Sequence, residues 1–351
     1  MPPTQGWAYL LVRKAQASTQ KEAPMMQMIR RTMRRRPVTW FFAISFALNV
    51  GVIATLLLSG AGAKLEAAVQ TVWGGQQRTD FISAFRLAME APEAIPGIGL
   101  SILQPLTPDI AAFAVAGLAF GLGGTGGVGA LLRRYRFWSK DVGRRRGAPA
   151  WGLMLLTFLA MSLATAGLNY VFAPPGSFGW VNTPILSWTF PLALLASIFL
   201  DVGGITEETG WRGFALPMLQ NRMTPLAATL VVGLMWGVWH FPARPDILVG
   251  TYGLWGGALL LAILVVRLLF LSVVMTYFYN RVGGSTLIAI SMHGLHNDSV
   301  FLQGRINVDG LGPYLTSELT LLAPILVAAC ILLFVGGRSL GLGKAAGRAS
   351  A

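Results

Sequence analysis

The sequence has few charged residues, few histidines and a single cysteine. Charged residues make up 12% of its 351 residues, against roughly 25% in soluble domains, which excludes an ordinary soluble protein. Cys330 has no partner within the chain, so an intrachain disulfide and a cysteine-based zinc site are excluded. The motifs H-E-x-x-H and G-x-S-x-G do not occur, which excludes the helical zinc-protease motif and the serine nucleophile elbow.

Long apolar runs take the place of the missing charges. A membrane-spanning helix needs about 20 mostly apolar residues, and eight segments qualify, of which the fourth, fifth and seventh are short. They are 38–60, 106–132, 151–173, 184–201, 226–242, 251–279, 284–300 and 319–336. The runs predict an all-α integral membrane protein with about eight transmembrane helices. The glycine-rich stretch GLGGTGGVGA is expected to let the second helix pack closely against a neighbour.

Positive charge is concentrated in three segments. Of 27 Lys and Arg residues, eight fall in 1–36, seven in 133–146 and three after Gly337. With eight spans these segments share one side, which the positive-inside rule makes cytoplasmic, so both termini are predicted to be cytoplasmic. The arginine-rich segment RRTMRRRP indicates contact with an anionic leaflet, and nucleic acid is not expected as a partner. The arginine-rich, lysine-poor composition is typical of a GC-rich bacterial genome, so the predicted location is a bacterial plasma membrane.

Four regions are expected along the chain. They are a basic cytoplasmic segment 1–37, an extra first helix with a non-cytoplasmic excursion 38–105, a core 106–300, and a last helix with a short basic tail 301–351. The first apolar run ends in SGAGAK, which resembles a signal-peptidase site, but the run is long for a signal peptide. We therefore expect an uncleaved helix.

Two adjacent glutamates follow a long uncharged stretch. Residues 147–200 contain no Asp, Glu, Lys or Arg, and the motif EETGWR comes soon after. On a helix Glu208 and Arg212 lie one turn apart and can pair, whereas Glu207 points in another direction. The motif is therefore either a structural ion pair beside a carboxylate that is available for chemistry, or a solvated pair in a cytoplasmic loop.

All three histidines lie in predicted spans. His240 ends the fifth span, one turn after Trp236, whose ring is expected to pack against the imidazole. His293 and Asn297 are four residues apart in the seventh span and project to one side, with His296 as a near neighbour. Ionisable side chains inside a bilayer are costly and mark functional sites.

A lone arginine, Arg267, lies in the middle of the sixth span. It is expected to pair with a buried acid such as Asp201 or Glu208, or with a carbonyl group, and to have a structural role.

Glu207, His240, His293 and Asn297 together predict a catalytic cavity inside the helix bundle. A carboxylate and a histidine can deprotonate water, while a second histidine and an amide can donate hydrogen bonds to an oxyanion. A zinc site is the alternative, with one glutamate and two histidines as ligands and an open position for water. The sequence therefore leaves two possibilities open: a site without a cofactor, and a site that binds Zn²⁺.

The order of EETGWR, WGVWH and HGLHN resembles the CPBP group of intramembrane proteases, relatives of the CAAX prenyl endopeptidase and of bacteriocin-immunity membrane proteins. The group's pattern is Glu-Glu-x-x-x-Arg, aromatic-x-x-x-His and His-x-x-x-Asn. It maps onto Glu207, Glu208 and Arg212, onto Trp236 and His240, and onto His293 and Asn297. Trp236 stands where Phe is more usual, and the resemblance covers about 106–300.

The resemblance implies an intramembrane endopeptidase that acts on membrane-associated or lipidated proteins and peptides. Glu207 and His240 would activate water, and His293 and Asn297 would stabilise the oxyanion. The residues with a supporting role would be Glu208, Arg212, Trp236 and His296. The rival hypotheses are a multi-spanning transporter and a non-catalytic binding or immunity protein that uses the same polar cluster. The sequence carries no signal for an oligomeric state.

Overall fold

The protein is mainly helical in a computed structural model, which describes residues 24–75, 78–179, 190–248, 250–298, 303–306 and 310–342. The helices are α1 (Pro24–Arg35), α2 (Pro37–Leu58), α3 (Ala61–Trp73), α4 (Phe81–Glu90), α5 (Ile95–Val115), α6 (Val128–Leu132), α7 (Gly143–Phe172), α8 (Phe190–Phe199), α9 (Val202–Glu208), α10 (Leu216–Gln220), α11 (Pro225–Trp239), α12 (Pro245–Leu248), α13 (Gly253–Arg281), α14 (Thr286–Asp298) and α15 (Leu311–Gly336). Two short strands, β1 (Phe178–Gly179) and β2 (Arg305–Ile306), pair antiparallel.

Six helices in the described ranges are long and apolar enough to cross a membrane. They are Pro37–Leu58, Pro92–Phe120, Gly143–Phe172, Pro225–Ala243, Gly253–Arg281 and Leu311–Ser339. Large apolar side chains on their outer faces stay exposed, among them Leu58, Trp255 and Phe334. Large exposed apolar surfaces of this kind mark contact with lipid or a partner. The chain is an all-α integral membrane protein, as the sequence predicts.

The remaining two predicted spans are shorter in the structure. The segment 184–201 lies partly outside the described residues, and its described part contains the ten-residue helix α8. The described part of the segment 284–300 contains α14, which has 13 residues, fewer than the roughly 20 that cross a bilayer.

The second span begins earlier than the sequence analysis expects. It runs over Pro92–Phe120 rather than 106–132, and it continues through two internal prolines, Pro105 and Pro108. A proline leaves the carbonyl four residues earlier without its helical donor. The Thr107 hydroxyl donates to Gln104 O at 3.0 Å, the carbonyl that Pro108 leaves free, and such side-chain donors make proline tolerable within membranes.

The glycine-rich stretch ends this span instead of lying inside it. Gly121 follows the last helical turn with φ 75°, a left-handed conformation that glycine adopts without strain. The chain then turns and enters the five-residue helix α6. The expectation of close helix packing by these glycines within a span is therefore wrong.

The site-bearing helix α9 lies between two neighbours, α5 and α14. Around this centre α2 packs on α5, and α11, α13, α15 and α7 pack in succession. One core of buried apolar side chains joins these helices, with Phe41, Trp211, Trp236 and Phe278 among its members. The centre of the bundle is thus well packed, and its polar groups are surrounded by apolar side chains.

The segment before α5 also reaches the centre. A smaller cluster joins α3, α4 and the start of α5 through Val69, Leu87 and Ile98. Just before α4, the backbone of Asp80 pairs with that of Asp201, and Val202 N donates to Thr79 O at 2.8 Å. The start of α9 is therefore held by a part of the chain that precedes the predicted core.

Candidate active site

A capped helix start followed by a π-helical turn presents the EETGWR motif. The Asp201 side chain accepts from Gly204 N at 2.5 Å and so caps α9, as Asp commonly does at helix N-termini. The helix ends at Glu208, and a π-helical turn spans Thr209–Ala215. Such turns often occur at functional sites. Here the turn remains buried along its whole length.

Glu208 has two partners through one oxygen. Arg212 Nη1 donates to Glu208 Oε1 at 2.7 Å, and both side chains are fully buried. His293 Nδ1 lies 2.8 Å from the same oxygen. Because a carboxylate accepts, His293 donates from Nδ1, so its Nε2 remains for other contacts. Arg212 also donates to Ser272 Oγ at 3.0 Å, which links the site to α13.

Glu207 is held by two tryptophans. The Nε1 groups of Trp236 and Trp211 donate to Glu207 Oε2 at 2.8 Å and 3.3 Å. Glu207 itself is only 4% exposed. Two donors on one oxygen orient the carboxylate, and among the described residues its other oxygen, Oε1, receives no hydrogen bond.

Trp236 packs against both histidines and also binds the Glu207 carboxylate. Its ring centroid lies 5.7 Å from that of His240 and 5.3 Å from that of His293, both edge-on. The packing of Trp236 against His240 agrees with the sequence-based expectation. The Arg212 guanidinium stacks over the same indole at 4.3 Å, within the range of a cation–π interaction.

His240 has a defined tautomer. Its Nδ1 lies 2.8 Å from the carbonyl oxygen of Trp236, and a carbonyl only accepts, so Nδ1 carries the proton. The lone pair therefore lies on Nε2. Unlike Glu207, His240 is only half-buried, so its ring lies at the accessible edge of the group.

Asn297 faces the cap of α9. Its Nδ2 donates to Asp201 Oδ1 and Oδ2 at 3.2 Å and 3.4 Å, which uses one of its two N–H groups. A Cβ at Gly203 would lie 2.9 Å from His293 Nε2 and 3.1 Å from Asn297 Nδ2. The polar side-chain tips of His293 and Asn297 thus converge over Gly203, which has no side chain to displace them.

Arg267 and His296 form a separate group. Arg267 Nη1 lies 3.3 Å from His296 Nε2, and Nη2 forms an ion pair with Glu318 Oε2 at 3.3 Å. Arg267 thus pairs with an acid, as expected, but this acid is Glu318 and not Asp201 or Glu208, whose partners lie near α9. The acid that pairs with Arg267 comes from α15, too distant in sequence to infer.

The predicted residues thus fall into two sets. Glu207, Glu208, Arg212, Trp236, His240 and His293 are linked by contacts around Trp236, and Asn297 joins them through Asp201 and Gly203. His296 lies with Arg267 instead.

A zinc site needs three or four ligand atoms that converge on one point. The described part of the chain holds no group of three or more His, Cys, Asp or Glu side chains arranged to bind a metal ion. These side chains, as they lie in this structure, therefore form no zinc ligand set, and the chemistry below uses none.

Three contributors were missed by the sequence analysis. Trp211 is four residues from Glu207, so helical spacing alone indicates that the two meet. Asp109 is the sole acid of the predicted second span, and an ionisable residue in a span indicates a functional site. In the structure its carboxylate accepts a hydrogen bond from Gly210 N at 2.7 Å. Ser272, which supports Arg212, carries no such signal.

Comparison with known proteins gives two matches. A family model described as type II CAAX prenyl endopeptidase Rce1-like matches residues 187–298. The CAAX prenyl protease 2 of Methanococcus maripaludis is 34% identical over 89 residues, which is 25% of this chain and 30% of that relative. The family match contains all eight predicted site residues. Residues 187–298 are therefore similar to the Rce1-like CAAX prenyl endopeptidases, and the chain spans less than a third of the length of the relative that it matches.

Proposed function

We propose that this chain is an intramembrane endopeptidase that hydrolyses peptide bonds of membrane-associated or lipidated proteins. The observation that carries the proposal is the arrangement around Trp236, which holds a buried carboxylate and contacts two histidine rings in one site. A structural ion pair alone has no use for a second glutamate oriented by two indoles. The family match over the same residues supports the assignment.

Glu207 and His240 are the proposed activators of water. Among the described residues, Glu207 Oε1 and His240 Nε2 each keep a lone pair that no hydrogen bond uses. A water between them can lose a proton to either base as it attacks the scissile carbonyl carbon. The proton is then available for the leaving amine.

His293 and Asn297 are the proposed oxyanion donors. In the imidazolium form His293 donates from both nitrogens, so Nε2 can donate while Nδ1 stays on Glu208. Asn297 has a second N–H besides the one on Asp201. Donors fixed before the reaction stabilise the developing negative charge without reorganising. Glu208 and Arg212 then act by holding His293.

A comparison of peptide N-termini in membranes expressing wild type or Glu207→Gln tests the proposal. The substitution keeps the shape and removes the base, so new N-termini should appear with wild type and fall by at least about 100-fold in the variant. Glu93→Gln, at an exposed glutamate, is the matched control and should behave as wild type. New termini that persist in Glu207→Gln would mean that another residue is the base.

The substrate class needs a second assay. The name of the archaeal relative makes a prenylated CAAX peptide the first candidate, tested beside its unprenylated form. Cleavage of the prenylated peptide alone would assign lipidated substrates. No cleavage by either assay would favour transport or binding by the same polar cluster.

A further inference from the structure

A groove of about 330 Å³ lies away from the proposed catalytic residues. It is bounded by the N-terminal end of α2, by α10 and by α11. Its wall is mainly apolar, with Phe42, Leu219, Val231 and Met235 among the lining side chains. The volume is within the range of small-molecule sites. A groove of this composition suits a hydrocarbon chain.

Two arginines stand at the same groove. Arg36 immediately precedes α2, and Arg222 follows α10; both line the groove and both are exposed. Arg222 Nη1 donates to Arg35 O at 3.3 Å, which keeps its side chain beside the start of α2. The charged groups are therefore held at one place on the molecule.

No carboxylate from the same segments neutralises these arginines. Residues 23–65 and 209–245, which include every residue that lines the groove, contain no Asp or Glu. The nearby helix α1 adds four more arginines and no acid. Within the part of the chain that the structure describes, neither Arg36 nor Arg222 forms an ion pair, so the groove combines an apolar wall with positive charge.

The position of the groove matches the geometry of a phospholipid. Pro37 begins a membrane-spanning helix, so Arg36 lies at the level where lipid headgroups meet acyl chains. Guanidinium groups bind phosphate oxygens by paired hydrogen bonds. Phe42, six residues further along the chain than Arg36, lies where an acyl chain would continue.

We propose that this groove binds one anionic phospholipid, with its phosphate between Arg36 and Arg222 and an acyl chain along the apolar wall. The site is independent of the proposed peptidase activity, because none of the proposed catalytic residues lines it. Lipid binding can therefore be measured, and can fail, without reference to a substrate.

Native mass spectrometry of the purified protein tests the site. The probes are dioleoyl-phosphatidylglycerol, dioleoyl-phosphatidylcholine and the free headgroup glycerophosphoglycerol. Wild type should retain phosphatidylglycerol over phosphatidylcholine and should not retain the headgroup alone. An arginine near an anionic lipid contributes about fivefold in affinity, so Arg36→Gln with Arg222→Gln should weaken phosphatidylglycerol binding by at least about tenfold.

Two further variants keep the test decisive. Arg145→Gln with Arg146→Gln removes the same charge from exposed positions elsewhere and should leave binding unchanged. Val231→Trp fills the groove without altering charge, and should weaken phosphatidylglycerol binding while the melting temperature stays near that of wild type. Equal affinity for the two lipids, or an equal loss in the Arg145/Arg146 control, would overturn the proposal.

Discussion

Trp236 contacts more of the site than its place in the motif suggests. It donates to Glu207, packs edge-on against His240 and His293, and lies under the Arg212 guanidinium. The indole thus has two separable roles: its N–H orients a carboxylate, and its ring fills the space between charged groups.

Substitution of Trp236 should separate these roles. Trp236→Phe keeps the ring and loses only the N–H, while Trp211 still donates to Glu207, so we expect a loss of about tenfold in cleavage rate. Trp236→Leu also removes the aromatic contacts and should cost more. The measurement is cleavage of the substrate found by the N-terminal comparison. Trp255→Phe, at a position 85% exposed, is the control, and equal losses in all three would contradict these roles.

At the residue scale the sequence predicts pairs that lie one helical turn apart. Glu208 with Arg212 and Trp236 with His240 follow from spacing alone. The bond from His293 to Glu208 does not, because it joins residues 85 positions apart. The sequence reasoning therefore gave Glu208 one partner where the structure gives it two.

At the scale of elements, α9 and α14 approach closely because of glycines. A Cβ at Gly203 would meet the side-chain tips of His293, Asn297 and Asp201, whereas one at Gly294 would overlap the backbone oxygen of Ser197 in α8. Side-chain tips can move aside and backbone cannot without shifting a helix. The two glycines should therefore tolerate alanine differently.

Gly203→Ala and Gly294→Ala make this difference measurable. Gly203→Ala should leave the melting temperature near that of wild type but reduce cleavage by about 100-fold, because displacement of about 1 Å impairs catalysis. Gly294→Ala should destabilise the fold by about 1–3 kcal/mol through overpacking. Gly152→Ala, which has no neighbouring atoms within 4 Å, should do neither. A Gly203→Ala protein with full activity would show that these groups need not converge.

The sequence predicts the membrane-spanning helices well where a long apolar run is enough to define them. Five predicted spans, such as 151–173 and 251–279, correspond to long helices at similar positions. The second span was predicted too late in the sequence, because its helix continues through Pro105 and Pro108, where the Thr107 hydroxyl donates to a carbonyl that Pro108 leaves free. The π-helical turn at Thr209–Ala215 was not predicted, since its buried partners lie on other helices.

At the scale of the whole molecule, the family-matched segment is held from both sides. From the N-terminal side, Asn49 Nδ2 donates to the Trp239 carbonyl at 2.6 Å, and Phe41 packs edge-on against Trp211 at 5.1 Å. From the C-terminal side, Glu318 pairs with Arg267. The helices outside 187–298 therefore contribute directly to the shape of the site.

A double-mutant cycle on the Arg267–Glu318 pair tests the C-terminal link. The two side chains are 12% and 13% exposed, so Arg267→Met or Glu318→Leu alone leaves a mostly buried charge unpaired and should cost about 3 kcal/mol. The double variant should cost less than either single one. Thermal unfolding in one detergent gives the three values. Strictly additive losses would mean that the pair is not coupled.

The bonds from Trp211 and Trp236 to Glu207 have a spectroscopic consequence. An indole N–H that donates to a carboxylate has a proton resonance that depends on the charge of its acceptor. With indole ¹⁵N labelling, the Trp211 and Trp236 signals should move together as Glu207 titrates, and both should lose this response in Glu207→Gln. The two indole signals would thus report the protonation state of Glu207, and this measurement needs no substrate.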